Sequence, residues 1–317
     1  MVDNLFFTLM MFHYLCNCKI YAKTIMQKII FIVITFLSAI MSVNGQEKET
    51  YFPYPNVPES LTTLYDRSDY LIEHFWDQCN LKSAFSYRTK FKQAFCDYLG
   101  ILPYGNKDVI SRSISQLIKE VKKQPQNMLT LGKIAEEALY SDSAVYWSDE
   151  LYYHFAKAVV ETKKITKEDK ARFNRHVQVL DYSQVGMRAY DLPYTDENGQ
   201  ECNLKDITAP FIILFINEYD CDDCLFAKAR LSTDIKTNQL IDDGTLAIVS
   251  LSPCEADDEW RSAITSYPDK WFKAASSEVE SYFDLKMTPT IYVLNINHEI
   301  VAKNITMDIL LNYISKL

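Results

Sequence analysis

The spacing of hydrophobic residues changes twice along the chain. Between residues 66 and 185, apolar side chains recur every three or four positions, which is typical of amphipathic helices. From Gly186 onward, short apolar runs alternate with helical stretches. We therefore predict an α+β protein of two domains, an all-α helical domain over residues 66–185 followed by an α/β domain over residues 186–317. Pro53, Pro55 and Pro58 disfavour helix, so residues 46–65 are predicted to be an extended lead-in.

Six helices account for the pattern of the first domain. The first begins near Asp66, and the others are predicted over Lys90–Leu99, Asp108–Val121, Leu129–Leu139, Ser148–Thr162 and Lys167–Leu180. Gly100 is interpreted as the end of the second helix. The many Tyr and Phe side chains favour a packed core over a ligand groove lined by aromatic rings.

The second domain has the alternation of strands and helices expected of an α/β sheet. Asn198-Gly199 marks a hairpin turn, and the helix that follows the strand at Phe211 is predicted to end at Asp243-Gly244. Trp260 and Trp271 are assigned to short helical or irregular segments. The remaining predicted elements are the strands Thr245–Leu251, Ile291–Ile296 and Glu299–Lys303 and the helices Ser277–Phe283 and Met307–Ile314.

The candidate chemistry lies in the motif Cys221-Asp-Asp-Cys224, between the apolar run that starts at Phe211 and a stretch rich in helix formers. A strand, two cysteines and a helix in that order place Cys221 near a helix N-terminus, where N–H groups and the helix dipole favour a thiolate. A thiolate attacks disulfides, and a second cysteine three residues later can resolve the mixed disulfide. The motif therefore favours redox chemistry that needs no metal and no organic cofactor.

Two other interpretations of the cysteine pair stay open. A Cys-x-x-Cys pair can be half of a zinc site, but zinc usually needs a second closely spaced pair of Cys or His ligands. Beyond the N-terminal segment the histidines are scattered, at His74, His154, His176 and His298. A purely structural disulfide is the other alternative, although so short a loop adds little stability through loop entropy.

The N-terminus has the pattern of an export signal. A basic start at Met26-Gln27-Lys28 precedes the apolar run Ile29–Met41, which is shorter than the about 20 residues of a membrane span. We predict a signal peptide over residues 1–45 with its true start at Met26, export to the periplasm or cell envelope, and no membrane span after its removal. The alternative is one uncleaved anchor.

Net charge and cysteine content constrain the partners and the redox state of the protein. The net charge of -9 over 317 residues argues against a nucleic-acid partner. An envelope compartment permits disulfides. Besides the Cys221–Cys224 pair, the exported part contains four cysteines, whose pairing the sequence leaves open because buried free thiols are equally compatible with it. They are Cys79, Cys96, Cys202 and Cys254.

Residues 186–317 resemble the exported TlpA/ResA-like branch of thioredoxin-fold proteins. The resemblance rests on the Gly186-x-x-Ala189 start with its Asn-Gly hairpin, the strand that leads to Cys221-x-x-Cys224, the two tryptophans Trp260 and Trp271, and Thr288-Pro289-Thr290 before a strand. Residues 52–185 resemble an uncharacterised helical domain that precedes thioredoxin-like domains in Gram-negative envelope proteins. Its likeness is carried by the stretches Asp66–Trp76 and Ala94–Leu99.

The resemblance implies roles for four residues. Cys221 attacks a substrate disulfide, Cys224 resolves the mixed disulfide, and Pro289 forms a cis peptide bond beside the sulfurs. The backbone of Thr288 is then free to pair with an extended substrate chain.

The sequence departs from the thioredoxin pattern at Asp220, where Trp is usual, and at Ala229, where Pro is common. Asp220, Asp222 and Asp223 surround Cys221 with negative charge. A like charge about 4 Å away opposes the thiolate by roughly 1 kcal/mol in water, against about 0.3–1 kcal/mol gained at a helix N-terminus. We therefore assign these acids the role of tuning the thiol and expect a site that leans toward reduction.

The sequence thus predicts an exported thiol–disulfide oxidoreductase that acts on protein disulfides of the envelope. Because the compartment is oxidising, an unidentified electron donor must reduce the cysteine pair again. The alternative is a non-catalytic thioredoxin-fold binding or assembly factor, since a fold by itself does not imply an activity.

Overall fold

The computed structural model of the chain describes residues 50–141 and 143–317, so the predicted signal peptide and its start at Met26 lie outside the described residues. The described residues divide into two units, residues 50–177 and residues 178–317. Every helix in the described part of the chain is too short or too polar to span a bilayer.

The first unit is helical, as predicted. Together with the helix that continues into the second unit, the described residues up to 183 contain six α-helices. They are α1 (Leu64–His74), α2 (Arg88–Ile101), α3 (Lys107–Val121), α4 (Pro125–Leu139), α5 (Asp149–Glu161) and α6 (Lys167–Ser183). Side-chain oxygens of Thr63, Asn106 and Ser148 accept backbone N–H groups of the first turns of α1, α3 and α5, which fixes where these helices begin.

Two of the differences between predicted and observed helix boundaries have a clear physical reason. Helix α4 begins at Pro125, four residues before the predicted start at Leu129, because proline fits the first turn, where its missing N–H has no helical partner. Helix α2 continues through Gly100, which was predicted to end it. Gly100 instead allows a close approach of Tyr146, since an added Cβ would lie 3.3 Å from the Tyr146 hydroxyl oxygen.

The aromatic side chains of the first unit form a packed core, as predicted. Phe75, Phe95 and Phe155 are fully buried, and the rings of Phe95 and Phe155 meet edge to face at 5.4 Å. The lead-in segment belongs to this packing, since Phe52 lies edge to face on Phe75 and the Tyr54 hydroxyl donates to Asp97 at 2.8 Å.

The second unit is built on a seven-stranded mixed sheet with the order β2-β1-β5-β4-β3-β6-β7. Its strands are β1 (Pro193–Asp196), β2 (Glu201–Asn203), β3 (Phe211–Ile216), β4 (Leu246–Ser252), β5 (Phe272–Ala275), β6 (Thr290–Asn295) and β7 (Ile300–Lys303). Its helices are α7 (Asp222–Thr233), α8 (Ile235–Asp242), α9 (Asp258–Ile264), α10 (Val279–Tyr282) and α11 (Met307–Ile314). Strands β3, β4 and β5 are parallel, and the other neighbours are antiparallel.

Strand β3 is buried on both faces, which explains its continuous apolar run. Ile213 and Phe215 pack into a core that includes residues of α7, α8, α9 and α11. Ile212, Leu214 and Ile216 point to the opposite core, which includes Val279 of α10 and Phe283.

The prediction for the second unit missed one strand and merged two helices. Trp260 lies in helix α9 and Trp271 in an irregular segment, as predicted, but strand β5 directly follows Trp271, because pairing with β4 and β1 decides its conformation. The single helix predicted up to Asp243 is two helices, since the Asp234 carboxylate accepts the Thr237 N–H at 2.8 Å and starts α8.

Candidate active site

Cys221 lies at the N-terminus of α7, as the motif predicts. It is the capping residue, with extended backbone angles, and its Sγ accepts the backbone N–H of Cys224 at 3.2 Å. The strand β3 ends at Ile216, so only four residues separate the buried strand from this sulfur. The first turn of α7 thus directs an N–H group at Cys221, which favours negative charge there.

The two sulfurs of the motif differ in accessibility. Cys221 is half-buried, whereas Cys224, in the first turn of α7, is 1% exposed. Both are free thiols. Burial, followed by the hydrogen bond with Cys221, raises the pKa of Cys224 to about 12. Cys221 is therefore the sulfur that a substrate can reach, and Cys224 is protected from solvent beneath it.

The segment with Thr288 and Pro289 lies beside the reachable sulfur. The Thr288–Pro289 peptide bond is cis, which confirms the prediction, and the Thr288 carbonyl oxygen is 4.0 Å from Cys221 Sγ. Sheet register explains this proximity, because Ile216 at the end of β3 pairs with Thr290 at the start of β6. The Thr290 hydroxyl donates to the Met287 carbonyl and closes the turn.

The three acids of the motif lie in solvent around Cys221. Asp222 and Asp223 occupy the first turn of α7, and Asp220 precedes Cys221 in the connection from β3. All three side chains are exposed. Solvent and salt therefore screen their charges more effectively than they would screen buried charges.

A buried polar network, which no sequence motif indicates, lies directly after β3. Asn217 is 1% exposed; its side-chain N–H donates to the Tyr267 hydroxyl at 2.6 Å, and Ser250 donates to its carbonyl oxygen at 2.9 Å. Burial raises the pKa of Tyr267, so its phenol stays protonated. The network ties the start of the connection to Cys221 to β4 and to the segment after α9. The signal in the sequence that could have indicated this network was the amide side chain of Asn217 directly after an apolar run.

Exposed apolar side chains flank the cysteine pair. Leu225 and Phe226 follow Cys224 on α7 and are 41% and 67% exposed, and Met287 precedes Thr288 and is 48% exposed. The guanidinium of Arg230 lies 6.0 Å from the Phe226 ring centroid. Sequence reasoning placed Leu225 and Phe226 on a helix without identifying them as part of a surface next to the motif.

The other four cysteines are also free thiols. Cys254 follows β4 and packs on the same core as Tyr219, and burial, then Asp257 and Glu255, raise its pKa to about 11. Burial raises the pKa of Cys79 in the first unit to about 12. The Cys254 and Cys79 thiols therefore stay protonated near neutral pH. Over residues 50–141 and 143–317, no three side chains of His, Cys, Asp or Glu converge in a group that could hold a metal ion.

Comparisons with known proteins agree with the fold. Residues 37–183 match a family model described as a domain of unknown function, DUF5106. The chain is 23% identical to a thioredoxin-like protein from Bacteroides caccae whose crystal structure superposes with a TM-score of 0.71, covering 85% of this chain and 99% of that one. That likeness establishes a thioredoxin-like fold. The comparison with curated proteins found no match.

Two further solved structures match the chain over a shorter stretch. One is a conserved protein of unknown function from Bacteroides fragilis, 25% identical, covering 41% of this chain and 98% of that chain, with a TM-score of 0.40. The other is the thioredoxin domain of a thiol-disulfide oxidoreductase from Bacteroides vulgatus, 23% identical, covering 42% of this chain and 96% of that chain, with a TM-score of 0.37.

Proposed function

We propose that this protein of thioredoxin-like fold is a thiol–disulfide oxidoreductase that reduces disulfides of cell-envelope proteins. The arrangement of the two sulfurs carries the proposal. Cys221 is reachable at the N-terminus of α7 and lies beside the Thr288 carbonyl, and Cys224 is buried one helical turn away. One accessible nucleophile and one protected resolving thiol are what two-step disulfide exchange needs.

The chemistry proceeds in two balanced steps. The Cys221 thiolate attacks one sulfur of the substrate disulfide, a Cys221–substrate disulfide forms, and the other substrate sulfur leaves and takes up a proton. Cys224 then loses its proton and attacks Cys221 Sγ, so the internal disulfide closes and the second substrate thiol leaves. The substrate gains two electrons, the cysteine pair loses them, and a dithiol donor must restore the pair.

The place and direction of the reaction are part of the proposal. The basic start and apolar run before residue 45 support export to the periplasm or cell envelope. The three acids around Cys221 support a reducing role, because stabilised thiolates make oxidants and these carboxylates oppose the thiolate. Thr288 supplies a backbone edge, and Leu225, Phe226 and Met287 supply apolar surface, for an extended segment of a protein substrate.

Reduction of insulin by dithiothreitol tests this function. The protein is expected to speed the reaction about tenfold or more over dithiothreitol alone, and Cys221→Ser is expected to abolish that gain because the attacking sulfur is lost. Cys202→Ser is the matched control, since it removes a half-buried thiol of the same unit from β2. Equal inactivity of the wild type and Cys221→Ser would favour the non-catalytic binding or assembly factor.

The acids give a separate prediction about Cys221. Replacing Asp222 and Asp223 by Asn should raise the rate at which iodoacetamide alkylates Cys221 by about threefold to tenfold at low salt, because each carboxylate opposes the thiolate by up to roughly 1 kcal/mol. At roughly 1 M salt, where the Debye length is about 3 Å, the difference should largely vanish. An increase that persists unchanged at high salt would show that the exposed charges are not its cause.

A further inference from the structure

The loop that carries Thr288 and Pro289 is held at its first residue by a buried tyrosine of β6. The loop spans residues 284–289, from the residue after Phe283, which caps the C-terminus of α10, to the start of β6. The Tyr292 hydroxyl accepts the Asp284 backbone N–H at 2.9 Å and donates to the Asp284 carbonyl oxygen at 3.0 Å. One phenol therefore satisfies both backbone polar groups of a buried residue.

Tyr292 is well placed to act as a fixed support. Its side chain is fully buried, and its strand, β6, is paired on both sides, opposite Leu214 of β3 and Lys303 of β7. The Phe283 ring meets the Tyr292 ring edge to face at 5.3 Å, directly before the loop begins. Packing thus fixes the ring, and pairing with β3 and β7 fixes the strand, so the hydroxyl holds a defined position.

Two further contacts lie within the loop and at its far end. The Asp284 carboxylate lies 3.5 Å from the Lys286 ammonium, and the Thr290 hydroxyl donates to the Met287 carbonyl at the far end. Between these ties, Met287 is exposed and Thr288 presents its carbonyl toward Cys221 Sγ. A firmly held residue 284 therefore limits how far Thr288 can move, since only three residues separate the two.

We propose that Tyr292 is a positioning residue for substrate: its hydroxyl clamps the backbone of Asp284 and so keeps Thr288 and Pro289 in place beside Cys221. The clamp itself is inferred from the hydrogen bonds. Its consequence, the binding of a protein disulfide, rests on the proposed function. The core around the ring is apolar, and the two hydrogen bonds to Asp284 are contacts that Phe could not make at this position.

Tyr292→Phe removes only the hydroxyl and tests the clamp. In hydrogen exchange, the amides of residues 284–288 should exchange about tenfold faster or more, because the Asp284 groups lose their partner. The KM for insulin should rise about fivefold or more while kcat changes little, and alkylation of Cys221 by iodoacetamide should stay within about twofold, because the sulfur itself is untouched.

Tyr98→Phe is the matched control. Tyr98 is also fully buried, and its hydroxyl donates to Ser113 Oγ at 2.8 Å in the first unit. This variant removes the same chemical group but should alter neither the exchange of residues 284–288 nor the KM. An equal change in both variants would mean a general loss of stability and would overturn the positioning role.

The exchange measurement separates this proposal from the proposed function. If the wild-type protein reduces no disulfide, the proposed function fails, and the clamp is then judged by exchange alone. In the wild type, the Asp284 amide should exchange about a hundredfold more slowly than the Met287 amide of the same loop. That comparison needs no variant, and equal exchange of the two amides would overturn the clamp even if Tyr292→Phe did not fold.

Discussion

Iodoacetamide should alkylate Cys224 of the native, reduced protein about three orders of magnitude more slowly than it alkylates an ordinary exposed cysteine near neutral pH. Only the thiolate reacts, and an exposed thiol has a pKa of about 8.5. Burial raises the pKa of Cys224 to about 12, so near pH 7 its thiolate fraction is smaller by a factor of about 3,000. Peptide mass spectrometry after timed quenching measures the rate.

The pH dependence of this labelling has a defined sign. Because the pKa of Cys224 is raised, its thiolate fraction should keep growing about tenfold per pH unit well above pH 8.5, where an ordinary thiol levels off. Unfolding the protein in denaturant should remove the protection, since the cause is burial. Labelling of native Cys224 as fast as in denaturant would contradict the buried position of this sulfur.

Although the Cys224 thiol is almost fully protonated, it can still resolve a mixed disulfide. Near pH 7 its thiolate fraction is on the order of 10⁻⁵, which by itself would make Cys224 a poor nucleophile. The attack is intramolecular, however, and effective molarities of well-oriented groups reach about 10⁵–10⁸ M. Cys224 lies one turn below Cys221, with its backbone N–H on Cys221 Sγ. Proximity therefore offsets the small thiolate fraction, and burial keeps outside reagents from competing.

The sequence predicted the parts of the site that depend on neighbours along the chain. The apolar run from Phe211, the cysteine pair and the helix after it form one local unit, so periodicity and spacing were enough to place Cys221 at a helix N-terminus. The Thr288–Pro289 bond could be predicted only through the resemblance, because a proline in a turn before a strand does not by itself fix the isomer.

The parts that sequence analysis missed depend on distant pairing. Strand β5 becomes a strand because β4 and β1 flank it, and Asn217 meets Tyr267 and Ser250 only after β3 and β4 are paired. In the sequence, nothing distinguishes Tyr292 from the other residues of an apolar strand. Its partner Asp284 is eight residues away, across a turn whose shape the sequence did not specify. Side-chain hydrogen bonds of this kind produce no periodic pattern in the sequence.

Replacing Cys224 by Ala should turn the protein into a covalent trap. Cys221 can still attack a substrate disulfide, but the mixed disulfide then has no internal thiol to release it. Catalytic reduction of insulin should therefore fall about a hundredfold or more, because the two residues act as one unit. A species with the mass of protein plus one insulin chain should accumulate, and excess dithiothreitol should dissolve it.

Cys254→Ala is the control for the trap. Cys254 is another thiol of the same unit, with its pKa also raised, to about 11, but it has no place in the two-step exchange. That variant should turn over insulin like the wild type and accumulate no adduct. In the native host, proteins held by Cys224→Ala and absent from the double variant Cys221→Ser/Cys224→Ala would be the substrates or the electron donor. If the same set bound to both variants, the binding would not depend on Cys221, and disulfide exchange would not explain it.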